Sequence, residues 1–553
     1  MNRERVLTGV GVSPGRGAGP VVVVRTPTPP PSVEPSDPGV GVARVDTATT
    51  QVRDELERAA AGTTGHAAEV LAATAMMATD PVLLASAHDL VGDGVGPARA
   101  VWEAAARIMD DLRSLGRPMS ERVPDVADVR DRIIAAITGD RGPGIPDPGH
   151  PFVLAAGELA PADVALLDPA KVLAIVTARG GPVSHAAILA RARGIPAVMG
   201  VPGATRIREG TLVVVDGGAG TVTIDAAPEE VSRVAATPRP ERALVGEGRT
   251  ADGHHIPLMA NVGRPDEAPS AASAGAEGVG LLRTEFCFLG RREPPSRSEQ
   301  ADAYRRVLAA FPGRTVVVRT LDAGTDNRLP FLTGAAEPNP ALGVRGVRTR
   351  VARPQLLEDQ LAAVADAAAD SSSDVWVMAP MVTTVDDAEE FVARCAGYGL
   401  TTAGVTIEVP AAALRAGPIL ARAAFASIGT NDLTQYTMAA DRQTWQLAHL
   451  CTPWQPAVLE LVAAACRAGI QQSRPVAVCG EAAADPALAA VLVGLGASSL
   501  SMTPRALGDV AALLAQVTRA ECEQLATLAL AAESAEAAQS AVRSRLPMAE
   551  LGL

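Results

Sequence analysis

The chain has 553 residues, more than a single hydrophobic core usually holds, so we expect several domains. Its formal net charge of −13 and its pI near 5.2 argue against nucleic-acid binding, which needs a basic face. The six cysteines form no C-x-x-C pair, which predicts neither a zinc site nor a disulfide framework. The start lacks the apolar core of a signal peptide, and no run approaches the roughly 18 apolar residues of a membrane span. We therefore expect a cytoplasmic protein without a membrane segment.

The first half of the chain mixes strand-like and helical patterns. Short β-branched runs predict strands at Val21–Val24, Phe152–Ala155, Val172–Thr177 and Leu212–Val215. Between the first two runs, helical spacing of apolar residues continues for about 90 residues. Since Val21–Val24 needs sheet partners from beyond this block, we predict an α/β domain at 1–25 and 143–225, with a helical insert at 26–142.

The second half repeats a strand–loop–helix rhythm after a polar linker at 226–250. The predicted strands are Ile256–Ala260, Gly278–Leu282, Thr315–Arg319, Val375–Ala379, Gly404–Ile407, Phe425–Ile428, Val476–Cys479 and Ser498–Ser501. Eight strands over about 250 residues are typical of a (β/α)8 TIM barrel. We place this barrel at 251–530, followed by a C-terminal tail at 531–553. The predicted fold class is thus α/β.

Most of these predicted barrel strands end in charged or reactive side chains. The residues are Arg283 and Glu285, Arg319 and Asp322, Glu408, Asn431 and Asp432, and Cys479, with Arg442 in a following loop. The carboxyl ends of barrel strands form the active site in such folds. Three arginines supply planar forks for phosphate or carboxylate, and Glu408 and Asp432 supply the hard oxygens that Mg²⁺ prefers. The pattern predicts a site for a small ligand that carries both phosphate and carboxylate.

A second candidate site lies in the α/β domain, where a glycine-rich turn leads into a predicted helix. Its segment runs from Gly180 through Ser184-His185 to Arg191. A lone histidine is more often structural or simply exposed. Here the preceding glycines and the helix start favour another role, because a helix amino end stabilises an anion such as a phosphate carried on His185.

These segments resemble known signatures. Gly180 to Arg191, with Gly194-Ile-Pro-Ala-Val198, resembles the phosphohistidine signature of the phosphoenolpyruvate-utilising enzymes. Five further segments resemble the barrel signatures of enzyme I of bacterial sugar phosphotransferase systems: Glu277 to Phe286, Ile407 to Ala412, Ser427 to Tyr436, Ala440-Asp-Arg442 and Val478-Cys-Gly-Glu481. Asp125 to Arg132 resembles the end of the helical insert of that family. The resemblance covers essentially the whole chain in colinear order.

The resemblance implies a function. Phosphoenolpyruvate would phosphorylate His185 and leave pyruvate, and His185 would pass the phosphoryl group to the carrier protein HPr as the first step of sugar uptake. The helical insert would dock HPr, and the barrel would form a homodimer. Implied substrate-binding residues are Arg283, Arg319, Asn431, Asp432 and Arg442. Glu408 and Asp432 would hold Mg²⁺, and Cys479 would protonate the enolate, with Cys287 as the fallback.

The chain departs from the family pattern at four positions. Val183 and Ala186 flank the Ser-His pair where threonine is common, and Val164 stands where a hydroxyl residue is often found upstream. Asn327 occupies a position that is usually lysine. These changes remove hydroxyls near the carrier histidine and one positive charge near the substrate, which puts efficiency in doubt more than identity.

Two other functions were weighed. A pyruvate phosphate dikinase or phosphoenolpyruvate synthase shares the histidine domain and the barrel, but it needs an ATP-binding domain. Only about 150 residues precede the histidine domain here, and they contain no P-loop. A catalytically weakened enzyme I paralogue with a regulatory role is the alternative that the four departures motivate.

Overall fold

The computed structural model divides the chain into two compact units, 1–238 with 443–448, and 239–442 with 449–553. It describes residues 5–24, 28–31, 37–63, 66–115, 119–139, 145, 148–181, 184–236, 242–323, 329–332, 337, 339–442 and 444–553. Each unit has its own hydrophobic core and is described separately.

The first unit contains an eight-stranded mixed sheet. Its strands are β1 Arg5–Thr8, β2 Val10–Ser13, β3 Arg16–Val24, β4 Phe152–Ala156, β5 Val172–Thr177, β6 Ala197–Met199, β7 Leu212–Asp216 and β8 Thr221–Ile224, in the order β1-β8-β7-β3-β4-β5-β6-β2. Strands β3 to β6 are parallel, and β4 is buried throughout. Strands covered on both faces are continuously apolar rather than alternating, which is why runs such as Phe152–Ala156 are recognisable in the sequence.

The chain leaves this sheet after β3 and returns at β4, and the helical insert lies between. Its helices are α1 Pro38–Ala61, α2 His66–Ala78, α3 Pro81–Gly92, α4 Pro97–Ser114 and α5 Val123–Thr138. After the insert come the domain's own helices α6 Pro161–Ala165, α7 His185–Arg193 and α8 Pro228–Ala236. Since β3 and β4 pair in register from Val21↔Val153 to Val24↔Ala156, the sheet closes across the insert.

The segment Ala67–Gly92 is long and apolar enough to cross a membrane by length and composition, which we did not anticipate from the sequence. Asp80 divides it into α2 and α3, because its carboxylate accepts a hydrogen bond from the Val82 N–H and caps α3, with Pro81 in the first turn. Leu71 and Leu83 pack into the core of the unit. The two halves are therefore separate helices of the insert.

The second unit is a closed barrel of eight parallel strands. They are β9 Leu258–Val262, β10 Val279–Arg283, β11 Thr315–Arg319, β12 Asp374–Ala379, β13 Ala403–Ile407, β14 Ala426–Gly429, β15 Val476–Cys479 and β16 Ser499–Met502. Each strand pairs with the next, and β16 closes on β9. The TIM-barrel prediction is confirmed, and every strand lies within two residues of its predicted position.

Helices surround the barrel strands. They are α9 Ala268–Ser273, α10 Arg297–Leu308, α11 Thr349–Ala352, α12 Pro354–Ala369, α13 Val385–Gly397, α14 Pro410–Leu414, α15 Ala416–Leu420, α16 Thr430–Met438, α17 Pro456–Gln472, α18 Glu481–Ala484, α19 Pro486–Gly494, α20 Leu507–Leu514, α21 Arg519–Leu530, α22 Ala535–Arg543 and α23 Met548–Leu551. The segment 531–553, which we expected to be a tail, forms α22 and α23. Val542 and Leu553 pack into the barrel core, so this segment is part of the folded unit.

Candidate active site

The charged strand ends predicted from the sequence meet at the carboxyl end of the barrel. Arg283 and Arg319 are the last residues of β10 and β11 and are register partners. On the other side of the barrel, Gly429 and Cys479 end β14 and β15 and are also partners. Parallel strands that end in register place their terminal side chains at one opening. We use the name rim cluster for the charged side chains at this opening: Arg283, Glu285, Arg319, Asp322, Arg345, Glu408, Asp432 and Arg442.

Arg345 is at the centre of the rim cluster and is only 3% exposed. Its Nε and Nη2 donate to the two carboxylate oxygens of Asp322 at 3.1 and 2.7 Å, and its Nη1 donates to Asp432 Oδ1 at 2.9 Å. Nη1 also lies 3.2 Å from the Tyr436 hydroxyl. Two fixed carboxylates and one fixed guanidinium result, because a buried ion pair with several hydrogen bonds is rigid.

Arg319 is held by three carboxylates. Its Nη2 donates to Glu285 Oε1 at 2.8 Å, and its Nη1 lies 3.7 Å from both Asp322 Oδ2 and Glu408 Oε1. Burial opposes the charge, but Glu285, Asp322 and Glu408 outweigh it and raise the pKa of Arg319. Its Nε is buried without a hydrogen-bond partner among the described residues, so the guanidinium retains a donor for a ligand.

Arg283 and Asn431 have no such partners among the residues that the structure describes. Within the described ranges, no hydrogen bond or close ion pair engages the Arg283 guanidinium or the Asn431 amide. Arg283 is solvent-exposed at the opening. An arginine cannot lose its proton at neutral pH, so an unpaired guanidinium beside Arg319 is a site for an anion.

Glu408 follows β13 and is buried. Its Oε2 accepts from the Met381 N–H and the Thr406 hydroxyl, both at 2.8 Å. Met381 adopts φ +61°, a conformation that non-glycine residues rarely take and that is typical of functional sites. Burial, and then repulsion by Asp432 and Asp322, raise the pKa of Glu408 to about 7.

Asp432, in the first turn of α16, behaves in the opposite way. Burial alone would raise its pKa, but Arg442 and Arg345 outweigh burial and lower it. Arg442 Nη1 lies 3.8 Å from Asp432 Oδ2. A Cβ at Gly429 would lie 2.6 Å from Glu408 Oε1, so glycine is required where β14 passes this carboxylate. Glu408 and Asp432 repel each other in a buried site, and a divalent cation with oxygen ligands would relieve that repulsion. The residues present therefore fit Mg²⁺.

The two cysteines considered as proton donors, Cys479 and Cys287, lie in different surroundings. Cys479 ends β15, is 4% exposed and packs with barrel-interior residues such as Leu281 and Val317. Its Sγ donates to the Ile428 carbonyl at 3.4 Å. Burial raises the pKa of the Cys479 thiol, so it is protonated at neutral pH. Cys287 belongs instead to the core between strands and helices, and burial raises its pKa to about 12.

The glycine-rich segment of the first unit is described at Gly180, Gly181 and from Ser184 onward, where α7 begins. Gly180 has φ +108°, and Ser184 caps α7 by accepting a hydrogen bond from the Ala187 N–H at 3.2 Å. His185 is the first residue of α7, and its side chain lies outside the described part of the chain. Val164 is fully buried in α6. Residues 183 and 327, where two of the departures fall, are also outside the described ranges.

A separate group of possible metal ligands lies at the opposite, amino end of the barrel strands. One ligand atom each from Glu247, His255 and Glu277 lies within 4.8 Å of the others. Glu277 Oε1 already accepts from the Gly248 and Leu258 N–H groups, both at 2.9 Å. Glu247 pairs with the Arg249 guanidinium. These bonds account for the group as an anchor of the linker, apart from the rim cluster.

Arg345 was not among the site residues predicted from the sequence. The predicted residues lie at or just after the ends of strands or in the loop that holds Arg442, whereas Arg345 comes from an irregular segment between β11 and α11. The signal that could have found it is the cluster of arginines at 345, 348 and 350, separated by small and apolar residues.

Three family models match this chain, and all describe phosphoenolpyruvate-utilising enzymes. The N-terminal model matches residues 8–122, the mobile-domain model 148–220 and the phosphoenolpyruvate-binding-domain model 241–519. The fold and the rim cluster thus fall in the class of phosphoenolpyruvate-utilising enzymes.

Curated relatives narrow this class. The phosphoenolpyruvate-protein phosphotransferase of Streptomyces coelicolor is 48% identical over 98% of this chain and 99% of its own length. The proteins of the same name from Haloferax volcanii and Bacillus subtilis are 37% and 34% identical, over 96% and 88% of this chain and 98% and 90% of theirs. The chain belongs to the phosphoenolpyruvate-protein phosphotransferase family.

Proposed function

We propose that this protein transfers the phosphoryl group of phosphoenolpyruvate to His185 and then to the carrier protein HPr, releasing pyruvate, as the first step of sugar uptake. The observation that carries this proposal is the unpaired Arg283 beside Arg319 at the barrel opening, next to buried carboxylates suited to a metal. Such a site fits a small ligand with two anionic groups and a divalent cation.

The substrate is held by its anionic groups. Arg283, Arg319 and Arg442 donate to phosphate and carboxylate oxygens, and the Asn431 amide adds a neutral donor. Arg319 brings a free Nε to this task. Several planar donors around one ligand fix its orientation, and positioning, together with electrostatic stabilisation, accounts for most of the catalysis of phosphoryl transfer.

Glu408 and Asp432 would hold the Mg²⁺ ion. When bound, the ion neutralises charge on the phosphoryl oxygens as the group moves. Asp432 is kept ionised by Arg345 and Arg442. The Met381 N–H and the Thr406 hydroxyl orient Glu408 Oε2. Among the described residues, Oε1 makes no hydrogen bond and lies 3.7 Å from Arg319 Nη1.

The phosphoryl transfer forms one bond to phosphorus and breaks another. A neutral imidazole nitrogen of His185 forms a bond to phosphorus while the bond from phosphorus to the enol oxygen breaks. The electron pair stays on the three-carbon fragment as an enolate. Cys479 then gives its thiol proton to the methylene carbon, which produces pyruvate and leaves a thiolate for solvent to reprotonate.

His185 lies in a different unit from the rim cluster, so catalysis requires that the histidine be delivered to the barrel. We place the hinge in the linker 226–250. A phosphate on His185 would meet the amino end of α7, where N–H groups favour negative charge.

Two surfaces are assigned to protein partners. The insert exposes Met76, Val82 and Leu115, which offer apolar contacts to HPr. The barrel exposes Leu342 and Val351, and we assign the homodimer interface to this unit.

A coupled turnover assay tests the proposal. Full-length protein with phosphoenolpyruvate, Mg²⁺ and HPr should form pyruvate and phosphorylated HPr in equal amounts. Pyruvate formation without phosphorylated HPr, or no turnover at all, would contradict it. The second result would favour the weakened paralogue that Val164 and Ala186 suggest.

A further inference from the structure

Gln360 is a buried polar residue behind the barrel opening. It lies on α12 and is 1% exposed. A buried carboxamide destabilises a protein unless its oxygen and both N–H groups find partners. The partners of Gln360 therefore indicate what the residue is for.

All three hydrogen-bonding groups of Gln360 are engaged. Its Oε1 accepts from the Leu321 N–H at 2.8 Å. Its Nε2 donates to the Thr284 hydroxyl and to the Tyr304 hydroxyl, both at 3.0 Å. The orientation of the amide is fixed by this set, because the backbone N–H of Leu321 can only donate and must face the oxygen.

Two of these partners adjoin the residues that we assign to substrate binding. Thr284 follows Arg283, and Leu321 lies between Arg319 and Asp322 in the chain. The Thr284 hydroxyl, which accepts from Gln360, donates in turn to the Arg319 carbonyl at 2.9 Å. The pairing of β10 with β11 ends at Arg283 and Arg319. The hydrogen bonds of Gln360 and Thr284 therefore connect the segments that follow these two strands, beyond the end of the sheet.

Glu285 adds a second tie across the same two segments. Its Oε1 accepts from the Asp322 N–H at 3.1 Å and from Arg319 Nη2 at 2.8 Å. The segments 283–285 and 319–322 are thus connected twice, once through the Gln360 carboxamide and once through the Glu285 carboxylate. A satisfied buried network of this kind specifies one arrangement of the groups it touches.

We propose that Gln360 is a positioning residue for substrate binding: it holds the ends of β10 and β11 at the spacing at which Arg283 and Arg319 meet the same phosphoenolpyruvate molecule. This inference rests on the proposed binding roles of the two arginines. Gln360 itself has no contact with the substrate and acts through Thr284 and Leu321.

Gln300 provides a matched control. It is also 1% exposed and belongs to the same network, because its Oε1 accepts from the Tyr304 hydroxyl at 3.1 Å. Its Nε2 donates to the Pro295 carbonyl at 3.2 Å. Within the described ranges, its hydrogen bonds reach neither 283–285 nor 319–322. Replacing either glutamine by methionine removes a buried carboxamide at similar volume. Only the replacement of Gln360 removes hydrogen bonds to Thr284 and Leu321.

The experiment compares Gln360→Met with Gln300→Met in the full-length protein. Melting temperature, KM for phosphoenolpyruvate and kcat are measured with Mg²⁺ present. We expect similar losses of melting temperature. KM should rise about tenfold or more in Gln360→Met and stay within about twofold in Gln300→Met, because misplaced binding groups weaken a ligand they no longer meet together. Equal changes of KM in both variants would overturn the proposal, since the effect would then follow stability.

Two further variants keep the outcome decisive. Thr284→Val removes only the hydroxyl that links Gln360 to the Arg319 carbonyl, and it serves if Gln360→Met does not fold. The KM of this variant for phosphoenolpyruvate should rise about threefold or more. An unchanged KM would count against the proposal. Arg319→Met tests the underlying binding role. If Arg319→Met leaves KM unchanged, both ideas fail. If it raises KM while Gln360→Met and Thr284→Val do not, only the positioning role is lost.

Discussion

The two units of this protein each contain a cluster of charged side chains, and the clusters differ in which charged groups lack a close partner among the described residues. The cluster in the first unit, which we call the insert cluster, consists of four aspartates and two arginines: Asp125, Asp128, Asp131, Asp163, Arg130 and Arg132. Arg132 bridges Asp128 and Asp163 at 2.9 and 2.5 Å, and Arg130 pairs with Asp131 at 2.7 Å. The Arg130 guanidinium also lies 3.8 Å from the centroid of the Trp102 ring.

The surplus in the insert cluster is acidic. Burial, and then repulsion by Asp128, raise the pKa of Asp163 to about 7, and burial raises that of Asp125 to about 6. A surplus carboxylate can take up a proton and become neutral. In the rim cluster four arginines face four carboxylates, but within the described residues no close ion pair engages the Arg283 guanidinium, which cannot lose its proton. The first cluster can therefore reduce its acidic surplus by taking up protons, whereas the second keeps a guanidinium available to an anion.

The largest effect is expected when Arg345 of the rim cluster is replaced, and Arg132 of the insert cluster provides the comparison. Arg345→Met leaves the buried Asp322 and Asp432 with only the longer contacts to Arg319 and Arg442, at 3.7 and 3.8 Å among the described residues. This should lower the free energy of unfolding by about 3 kcal/mol. It should also slow phosphorylation of His185 by roughly 10²-fold or more, because the rim groups shift. Rates are measured with labelled phosphoenolpyruvate and stabilities by urea unfolding.

Arg132→Met is the control for that experiment. It removes the equivalent bridge in the insert cluster and should also destabilise its unit, but the rate of His185 phosphorylation should stay within a few-fold of normal. An equal loss of rate in both variants would mean that the two clusters do not differ in function.

The second prediction concerns the proton donor. Cys479→Ala should slow pyruvate formation by roughly 10²-fold or more, the usual contribution of a placed general acid. Substrate binding should survive, because the arginines are untouched. Cys287→Ala is the control and should be near normal. A normal rate for Cys479→Ala together with a reduced rate for Cys287→Ala would assign the proton donor to Cys287 instead.

The third prediction concerns the metal. Chelation should abolish phosphorylation, and Glu408→Gln should raise the Mg²⁺ concentration required by about tenfold. Since the pKa of Glu408 is raised to about 7, its carboxylate takes up a proton below that pH. Mg²⁺ titrations at pH 6 and 8 should therefore show weaker binding at pH 6 in the parent protein. A parent protein with equal Mg²⁺ requirements at both values would contradict the assignment.

The smallest effect is expected in the insert cluster. The folded-state pKa of Asp163, about 7, lies above the unfolded value near 3.9. Its contribution to stability is therefore fully present below about pH 4 and is lost as the pH rises through 7. Hydrogen exchange should show the α5 amides less protected at pH 8 than at pH 5, after correction for intrinsic rates. Asp163→Asn should reduce this difference by about 1 kcal/mol; an unaltered difference would assign it to other groups.

The sequence predicted the barrel well because its strands are buried on both faces and end in recognisable chemistry. Thr315–Arg319 and Val476–Cys479 were placed to the residue. The strands β1, β2, β6 and β8 were missed; β1, β2 and β8 are partly exposed and lack the continuous apolar run that marks a strand buried on both faces. Their place in the sheet comes from pairing with distant segments, which one sequence does not reveal.

Within the candidate site, the residues at strand ends could be predicted and those supplied by loops could not. Arg319 and Glu408 follow from the rule that barrel chemistry lies at carboxyl ends. Arg345 and the buried Gln360 depend on how an irregular segment and a helix return to the rim. The positive φ of Met381 is likewise a product of tertiary packing, because nothing in methionine favours it.

The central claim, that His185 receives the phosphoryl group of phosphoenolpyruvate, has one direct test. The protein is mixed with phosphoenolpyruvate and Mg²⁺, digested at alkaline pH, and analysed by mass spectrometry. We predict one acid-labile phosphoryl group on the peptide that contains His185, absent in His185→Ala. A phosphoryl group on any other residue, or one that persists in His185→Ala, would contradict the account.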